Sequence, residues 1–357
     1  MNRTVDSDSI VGPNELILLT GASGFIGTRL VRNLLQRGFR NLRLFVRPSS
    51  DVAIVNALCA EFGDSARIEF VRGNLASRED CGAAVKDVTL IFHLAAGRGE
   101  KSFADAFFNS VVTTRNLLEA ALSQNCLRRF VNVSSFSVYT NRNKPHGRLL
   151  DESCPVEPRP ELRGDSYSFA KIKQDELVEE YGKKFSIPYV IVRPGYVYGP
   201  GNEGITGRVG IGTFGLFLHL GGSNKIPFTY VDNCVEAIAL AGLKPGVEGE
   251  VFNVVDDGVL TSRQFLRQYK KRVKPFKSIY VPHALSYGLC YVWEWYANWS
   301  EGQLPLAFNV RDWHITWKKT RYSNQKLKSR LGWVPVISTT EGMNLFFDAC
   351  RARNQNA

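Results

Sequence analysis

A tyrosine and a lysine stand four residues apart in the middle of the chain, Tyr167 and Lys171 in the run Tyr-Ser-Phe-Ala-Lys. If this segment is helical, the two side chains share one face. A phenol with a pKa of about 10 is a poor base at neutral pH, but a nearby ammonium stabilises the phenolate. The pair could therefore take a proton from an alcohol or donate one to a ketone. The serine-rich run 134–137 stands at a predicted strand end, where a hydroxyl could hold the reacting oxygen.

A glycine loop near the N-terminus is the second motif. Gly21, Gly24 and Gly27 follow a predicted strand at 16–20 and open a predicted helix at 25–36. In such a turn the glycines allow a tight backbone path, close approach of a pyrophosphate and close helix packing. The N–H groups and the positive helix end then bind the phosphates. The loop residues expected at the cofactor are Gly21, Ser23, Gly24, Phe25, Ile26 and Gly27. A dinucleotide site beside a proton-transfer pair predicts hydride chemistry.

The end of the second predicted strand indicates which dinucleotide fits. Where a carboxylate would bind the adenosine ribose of NAD(H), the chain has Arg47, followed by Ser49 and Ser50. A guanidinium and two hydroxyls suit a 2′-phosphate. We therefore expect NADP(H) to be favoured, with NAD(H) as the alternative.

The elements that must position these motifs alternate along the chain. Short apolar runs and amphipathic stretches succeed one another from residue 16, which is typical of strand-helix-strand units. Strands are predicted at 16–20, 42–46, 68–71, 90–94, 130–134, 189–192 and 251–255, and helices at 25–36, 104–123, 167–185 and 214–220. The predicted fold is α/β, a doubly wound parallel sheet of Rossmann type with a smaller C-terminal substrate lobe.

Three segments divide the chain in this interpretation. Residues 1–14 form a disordered lead-in, and 15–200 form the dinucleotide-binding domain with the catalytic residues. Residues 201–357 are mainly the substrate lobe, from which strand 251–255 returns to the main sheet.

Composition narrows the class of protein. The formal net charge is +11, which suits an anionic ligand or surface without choosing one, and no nucleic-acid partner is expected. Seven scattered cysteines fit reduced thiols in a cytoplasmic protein, and five histidines without metal-ligand spacing predict no metal site. The lead-in lacks the apolar core of a signal peptide, and no apolar run reaches the about eighteen residues of a membrane span.

Together these motifs resemble the extended short-chain dehydrogenase/reductase superfamily, also called the NAD-dependent epimerase/dehydratase family, over roughly residues 16–343. The glycine loop, the Tyr167/Lys171 pair and the runs 93–96 and 193–200 carry the resemblance. It implies that Ser135 is the catalytic serine and that Asn109 supports the active site. It also implies cofactor contacts from Asn74, Leu75, Leu94, Ala95, Ala96, Tyr167, Lys171 and Pro194.

The departures from the family pattern reduce the number of reactions that the chain could catalyse. Phe136 follows Ser135, where nucleotide-sugar 4,6-dehydratases carry an Asp-Glu pair, so water elimination lacks its acid and base. Residues 254–335 look more like the 3β-hydroxysteroid dehydrogenase branch. We therefore expect an NAD(P)-dependent oxidoreductase that transfers a hydride between the nicotinamide and the secondary alcohol or ketone carbon of a small molecule.

Two alternatives stay open. A nucleotide-sugar 4-epimerase would use the same residues for transient oxidation, and Arg208 and Lys225 could neutralise its diphosphate. A non-catalytic NADP(H)-binding sensor would be expected to have lost Ser135, Tyr167 or Lys171, and all three are present.

The segment 270–299 combines basic residues with tyrosine and tryptophan rings. This composition would suit peripheral contact with a membrane, while a lid helix or a core aromatic cluster are the alternatives. A homodimer, frequent in the superfamily, is also left open.

Overall fold

The computed structural model describes residues 8–97, 102–143, 145, 147–300, 303 and 308–355. Seven parallel strands form the main sheet in the order β12-β7-β5-β4-β1-β2-β3. The strands are β1 Ile17–Thr20, β2 Asn41–Val46, β3 Arg67–Arg72, β4 Leu90–His93, β5 Arg129–Val133, β6 Leu149–Leu150, β7 Tyr189–Pro194, β8 Tyr196–Tyr198, β9 Gly210–Thr213, β10 Leu216–His219, β11 Phe228–Tyr230, β12 Val251–Val254, β13 Ser278–Tyr280 and β14 Arg321–Tyr322. The order reverses between β1 and β4, which opens a crevice at the carboxyl ends of these two strands.

Helices cover both faces of the sheet. They are α1 Phe25–Gln36, α2 Ala53–Ala60, α3 Arg78–Val85, α4 Phe103–Phe107, α5 Thr113–Ala121, α6 Ser166–Phe185, α7 Val231–Leu243, α8 Ser262–Arg272, α9 His283–Trp299, α10 Val310–Thr316, α11 Gln325–Leu331 and α12 Thr339–Gln355. Ile17 and Leu19 of β1 pack with α1 and α7, whereas Leu18 packs with α3, α5 and α6. Because successive side chains of a strand point to opposite faces, an apolar run such as Ile-Leu-Leu fits a strand buried on both sides. The predicted doubly wound α/β fold is confirmed.

The helix expected over 104–123 is not a regular α-helix. Between α4 and α5 lies a π-helical turn, Phe108–Val112, which contains Asn109. The Thr113 hydroxyl lies 3.0 Å from the Asn109 carbonyl and 3.2 Å from the Ser110 carbonyl, so its one hydrogen is available to either carbonyl of the widened turn.

The C-terminal part contributes both to the main sheet and to a separate, smaller sheet. Its helix α7 is buried against the main sheet, and β12 pairs with β7 at the sheet edge. The rest includes a separate sheet, β13-β10-β9. The helix expected over 214–220 is wrong, because 216–219 pairs antiparallel with β9 and parallel with β13.

The first described residues pack against the main domain. The N–H of Ile10 donates to the Leu243 carbonyl at 2.9 Å, and Val11 is 1% exposed. Residues 8–14 therefore differ from the disordered lead-in expected over 1–14, because the apolar side chain of Val11 packs in the core. Residues 1–7 lie outside the described residues.

Candidate active site

The glycine loop joins β1 to α1 through a path that only glycine allows. Gly21 adopts φ +73°, and a Cβ there would lie 3.0 Å from the Ala95 backbone nitrogen. A Cβ at Gly27 would overlap the Gly21 carbonyl oxygen. The first turn of α1 has no side-chain cap and no acidic residue, so its N–H groups are available to an anion. A cradle of this shape and charge fits the pyrophosphate of a dinucleotide.

The end of β4 lies directly beside this loop. The N–H of Leu94 donates to the Thr20 carbonyl at 3.2 Å, and the N–H of Ala95 donates to the Thr20 hydroxyl at 3.3 Å. Leu94, Ala95 and Ala96 are half-buried at this edge. The structure thus brings these three predicted cofactor contacts next to the glycine loop.

Helix α6 presents Tyr167 in its first turn. The Asp165 carboxylate caps the helix by accepting from the N–H groups of Tyr167 at 3.1 Å and Ser168 at 3.3 Å. The Ser135 hydroxyl lies close enough to the Tyr167 phenol to act on its pKa, and Ser135 Oγ accepts from the Ser137 N–H at 3.2 Å. The predicted serine and tyrosine therefore meet where β5 ends and α6 begins.

Lys171 is buried one helical turn further along α6. Its Nζ donates to the Val133 carbonyl at 2.7 Å and to Gln174 Oε1 at 2.9 Å. Burial lowers the pKa of Lys171 to about 8, although the nearby Asp175 carboxylate acts to raise it. Burial, with smaller contributions from Asp165 and Asp175, raises the pKa of Tyr167 above its ordinary value, while the Ser135 hydrogen bond acts to lower it. In the protein alone the phenol is therefore protonated at neutral pH and able to donate.

A buried chain of hydrogen bonds connects Lys171 to the glycine loop. Gln174 Nε2 donates to Thr114 Oγ1 at 2.7 Å, Thr114 Oγ1 lies 2.8 Å from His93 Nε2, and His93 Nδ1 lies 2.8 Å from Thr20 Oγ1. Burial and the Lys171 charge lower the pKa of His93 to about 3, so the ring is neutral.

One tautomer of His93 satisfies this chain. The Thr114 hydroxyl donates to the Ser110 carbonyl at 2.5 Å, so it must accept from His93 Nε2–H, which leaves Nδ1 to accept from Thr20. The chain holds Lys171 in a fixed place relative to β1. Sequence reasoning identified His93 only as a marker of the strand end and missed Thr114 and Gln174. Their polar character gave little signal, because the buried faces of α5 and α6 carry several other polar side chains.

A second buried cluster fixes α6 to the sheet. The Asp175 carboxylate accepts from Asn132 Nδ2 at 2.9 Å, Ser134 Oγ at 2.8 Å and Arg193 Nε at 3.0 Å. The Arg193 guanidinium also lies over the Tyr139 ring, 4.9 Å from its centroid. These contacts tie α6 to the ends of β5 and β7, where Pro194 is the last strand residue.

A cleft of about 360 Å³ opens beside the start of α6. Its lining includes Ser137, Arg163, Ser168, Arg208, Asp312 and Trp317. Arg163 is nearly fully buried, donates to the Ser137 carbonyl and donates to Asp312 Oδ1 at 3.1 Å. Arg208 donates to the Ile315 carbonyl at 2.7 Å. Of the two cations considered for a diphosphate, Arg208 lines this cleft, whereas Lys225 is exposed and does not.

A match to known proteins now identifies the family. The model of the NAD dependent epimerase/dehydratase family matches residues 17–254, from β1 through the last strand of the main sheet. The chain belongs to the NAD dependent epimerase/dehydratase family. The resemblance drawn from the motifs is confirmed, and the chain is an enzyme of the extended short-chain dehydrogenase/reductase type.

Relatives in this family differ in how much of the chain they match. The chain is 29% identical over 250 residues to a trifunctional UDP-glucose 4,6-dehydratase/UDP-4-keto-6-deoxy-D-glucose 3,5-epimerase/UDP-4-keto-L-rhamnose-reductase of Arabidopsis thaliana, covering 67% of this chain and only 36% of that protein. It is 25% identical over 368 residues to a 3beta-hydroxysteroid-dehydrogenase/decarboxylase of the same plant, covering 95% of this chain and 81% of that protein. The fold matches UDP-glucuronic acid 4-epimerase from Bacillus cereus, solved in complex with NAD, with a TM-score of 0.68, 21% identity and coverage of 95% and 99%.

Several residues expected at the cofactor or catalytic group lie apart from the Ser135–Tyr167 contact. Asn109 is exposed and its amide donates to the Asp105 carbonyl and carboxylate, each at 3.0 Å. Arg47 is exposed just after β2. Asn74 is exposed and its Oδ1 accepts from the Ala76 N–H at 3.0 Å, while Leu75 is buried. Their roles stay predictions.

Among the described residues, no group of histidine, cysteine, aspartate and glutamate side chains could hold a metal ion. Within the same part of the chain, no helix is both long and apolar enough to cross a membrane. Contact of 270–299 with a membrane surface and assembly into a homodimer stay predictions at this point.

Proposed function

We propose that this chain is an NADP(H)-preferring oxidoreductase that interconverts a secondary alcohol and a ketone on a small molecule. The observation that carries the proposal is the position of Ser135 beside Tyr167, one helical turn from the buried Lys171, at the strand ends beside the glycine cradle. The bound nicotinamide supplies or accepts the hydride.

The side chains of this chain move and position the proton. Tyr167 donates its phenolic proton to the ketone oxygen, or takes the alcohol proton in the reverse direction. Ser135 donates a hydrogen bond to the same oxygen and fixes its position. Lys171, held by Val133 and Gln174, keeps a positive charge near Tyr167 and lowers the cost of forming the phenolate.

Cofactor binding is assigned to the glycine loop and its neighbours. Gly21, Gly24 and Gly27 form the pyrophosphate cradle, and Leu94 to Ala96 form the wall beside it. Arg47 is exposed just after β2, and a guanidinium suits a 2′-phosphate, which supports NADP(H) for this chain although the structural neighbour is in complex with NAD.

The cofactor preference is tested by the exchange Arg47→Glu. Loss of a charge-assisted hydrogen bond should raise the KM for NADPH by about tenfold or more and leave the KM for NADH unchanged. Arg67→Glu, at the opposite end of the neighbouring strand, makes the same charge change and should leave both KM values as they are. Equal effects of the two exchanges, or a wild type that prefers NADH, would refute the NADP(H) assignment.

The substrate class is supported by the extent of similarity. The hydroxysteroid dehydrogenase relative matches 95% of the chain, whereas the sugar-nucleotide relative matches 67%. An alcohol or ketone without a nucleotide is therefore the first proposal. Arg208 in the cleft favours a second candidate, a sugar-nucleotide 4-epimerase, because its guanidinium suits a diphosphate.

A substrate panel distinguishes these reactions through the reduced-nicotinamide absorbance band. Net loss of the band with ketones, or net gain with alcohols, supports the oxidoreductase. Product formed from a UDP-sugar without net change of the band would establish the epimerase instead. Binding of NADPH with no turnover across the panel would point to the sensor.

A further inference from the structure

Helix α9 (His283–Trp299) has an apolar outer surface. Six of its aliphatic and aromatic side chains are at least 55% exposed, and we call them the α9 face: Leu285, Leu289, Tyr291, Val292, Trp295 and Trp299. Spacings of three and four residues place them on one side of the helix. A helix face in contact with water is normally polar, so a contiguous apolar face of this kind marks an interaction surface.

The opposite side of α9 is already used for packing. Cys290 lies in a small core with Trp313 of α10, and Trp313 Nε1 donates to Ser286 Oγ at 3.0 Å. Glu294 is the one Asp, Glu, Lys or Arg in the helix, and its carboxylate accepts from the Val310 N–H at 2.9 Å. The helix is thus anchored through its inner side, and no charged residue belongs to the α9 face.

A groove with basic walls adjoins the start of α9. We call it the basic groove, and its lining is His219, Arg263, Leu266, Arg267, Lys270 and Lys271. Tyr280, three residues before His283, connects the groove to α9. The Arg263 guanidinium lies over the Tyr280 ring at 5.4 Å from its centroid, and the His219 and Tyr280 rings are 5.6 Å apart.

Among the described residues, no carboxylate neutralises the charges of the basic groove. Between residues 258 and 293 the sequence has no Asp or Glu. In the described part of the chain, Arg272 pairs with Asp348 at 3.5 Å, but no carboxylate lies within ion-pair distance of the four cations that line the groove. These cations are therefore available to an external anionic surface.

We propose that the α9 face and the basic groove together bind the surface of an anionic lipid bilayer. Tryptophan and tyrosine rings prefer the depth of the headgroups, and lysine and arginine beside them attract anionic lipids. A second copy of the chain fits this surface less well. A two-fold contact through the α9 face would bring two unneutralised basic grooves close to each other.

The test is vesicle flotation of the full chain loaded with NADPH. Wild type should float with phosphatidylcholine vesicles that contain phosphatidylglycerol, and weakly or not at all with phosphatidylcholine alone. The double exchange Trp295→Ser/Trp299→Ser should weaken vesicle binding by about tenfold or more, because two rings that would enter the bilayer are lost. Arg267→Glu/Lys271→Glu should weaken it by about tenfold or more, and added salt should weaken wild-type binding.

Matched controls separate this surface from general apolarity and charge. Ile54→Ser/Val334→Ser removes two side chains that are 74% and 70% exposed elsewhere, and Lys183→Glu/Lys184→Glu makes the same charge change on α6. Both should float like wild type. Turnover of a water-soluble substrate should be the same in all variants. Failure of the proposed reaction would then be distinguished from failure of the proposed membrane binding.

Three results would overturn the proposal. The first is a wild type that does not float with anionic vesicles. The second is flotation that the tryptophan exchange leaves unchanged. The third is a dimer in light scattering that the tryptophan exchange dissociates while no vesicles are bound, which would assign the α9 face to a second copy.

Discussion

Half-buried Tyr167 and buried Lys171 both have shifted pKa values, and at neutral pH both side chains keep their protons. Burial raises the pKa of Tyr167, so the phenol keeps its proton at neutral pH. Burial lowers the pKa of Lys171 to about 8, so its ammonium is still mostly charged there. A proton donor one helical turn from a cation is an arrangement that a ketone reduction can use.

The depressed pKa of Lys171 predicts how stability depends on pH. Between about pH 8 and the ordinary lysine value of 10.5, the folded protein loses a proton that the unfolded chain keeps. The free energy of unfolding of wild type should therefore rise relative to Lys171→Met across this window, by at most about 1.4 kcal/mol per pH unit. Urea titrations at a series of pH values measure this difference.

An exchange close by in the sequence provides the control for that measurement. Lys173 pairs with Glu176 at the surface of α6. The exchange Lys173→Met should therefore leave the pH dependence of the unfolding free energy almost unchanged over the same range. Parallel pH profiles of wild type and Lys171→Met would show that the buried amine has an ordinary pKa, contrary to this prediction.

At the scale of elements, the position of α6 depends on the buried Asp175 carboxylate. It accepts three hydrogen bonds from the ends of β5 and β7, one of them from the buried Arg193. Asp175→Asn leaves this guanidinium without its counter-charge and should lower the free energy of unfolding by about 3 kcal/mol. Asp348→Asn removes a carboxylate from an exposed pair and should cost less than about 1 kcal/mol. If denaturant unfolding gave an equal loss of unfolding free energy for both variants, this role of Asp175 would be contradicted.

The second prediction about the elements concerns the turn between β1 and α1. Gly27→Ala places a methyl group against the Gly21 carbonyl and 2.8 Å from the Ala22 Cα, so the cradle must widen. The Kd for NADPH, measured by fluorescence titration, should rise by about tenfold or more. Gly82→Ala in α3, where an added Cβ meets nothing within 4 Å, should leave NADPH binding unchanged and stabilise the protein by about 0.5–1 kcal/mol. Equal NADPH binding by both variants would show that the close packing of Gly27 is not needed.

Elements with a strong local pattern could be predicted from the sequence. The apolar runs of β1 and β4 and the periodic faces of α1 and α6 carry their own signal. The π-helical turn could not, because it lies within a helix of ordinary composition and no local pattern marks it. Strand β10 was mistaken for a helix because its short apolar run becomes a strand only through pairing with β9 and β13.

At the scale of the whole molecule, motifs predicted the candidate site, and the structure adds long-range contacts around it. The glycine loop, Ser135, Tyr167 and Lys171 were found from spacing and family resemblance. The chain Thr20-His93-Thr114-Gln174 joins residues between 21 and 73 positions apart, and single polar residues give no sign of such partners. The α9 face shows the same limit: the sequence has the aromatic residues, but only the fold shows that they point outward.

The central claim is that Tyr167 transfers the proton that accompanies hydride transfer, and Tyr167→Phe tests it most directly. With the substrate that wild type turns over in the panel, kcat should fall by about 100-fold or more, because only the acid/base group is lost. The Kd for NADPH and the free energy of unfolding should stay near wild-type values, which shows that the site is intact. A kcat within about twofold of wild type, in a preparation that binds NADPH normally, would contradict the mechanism proposed for this enzyme.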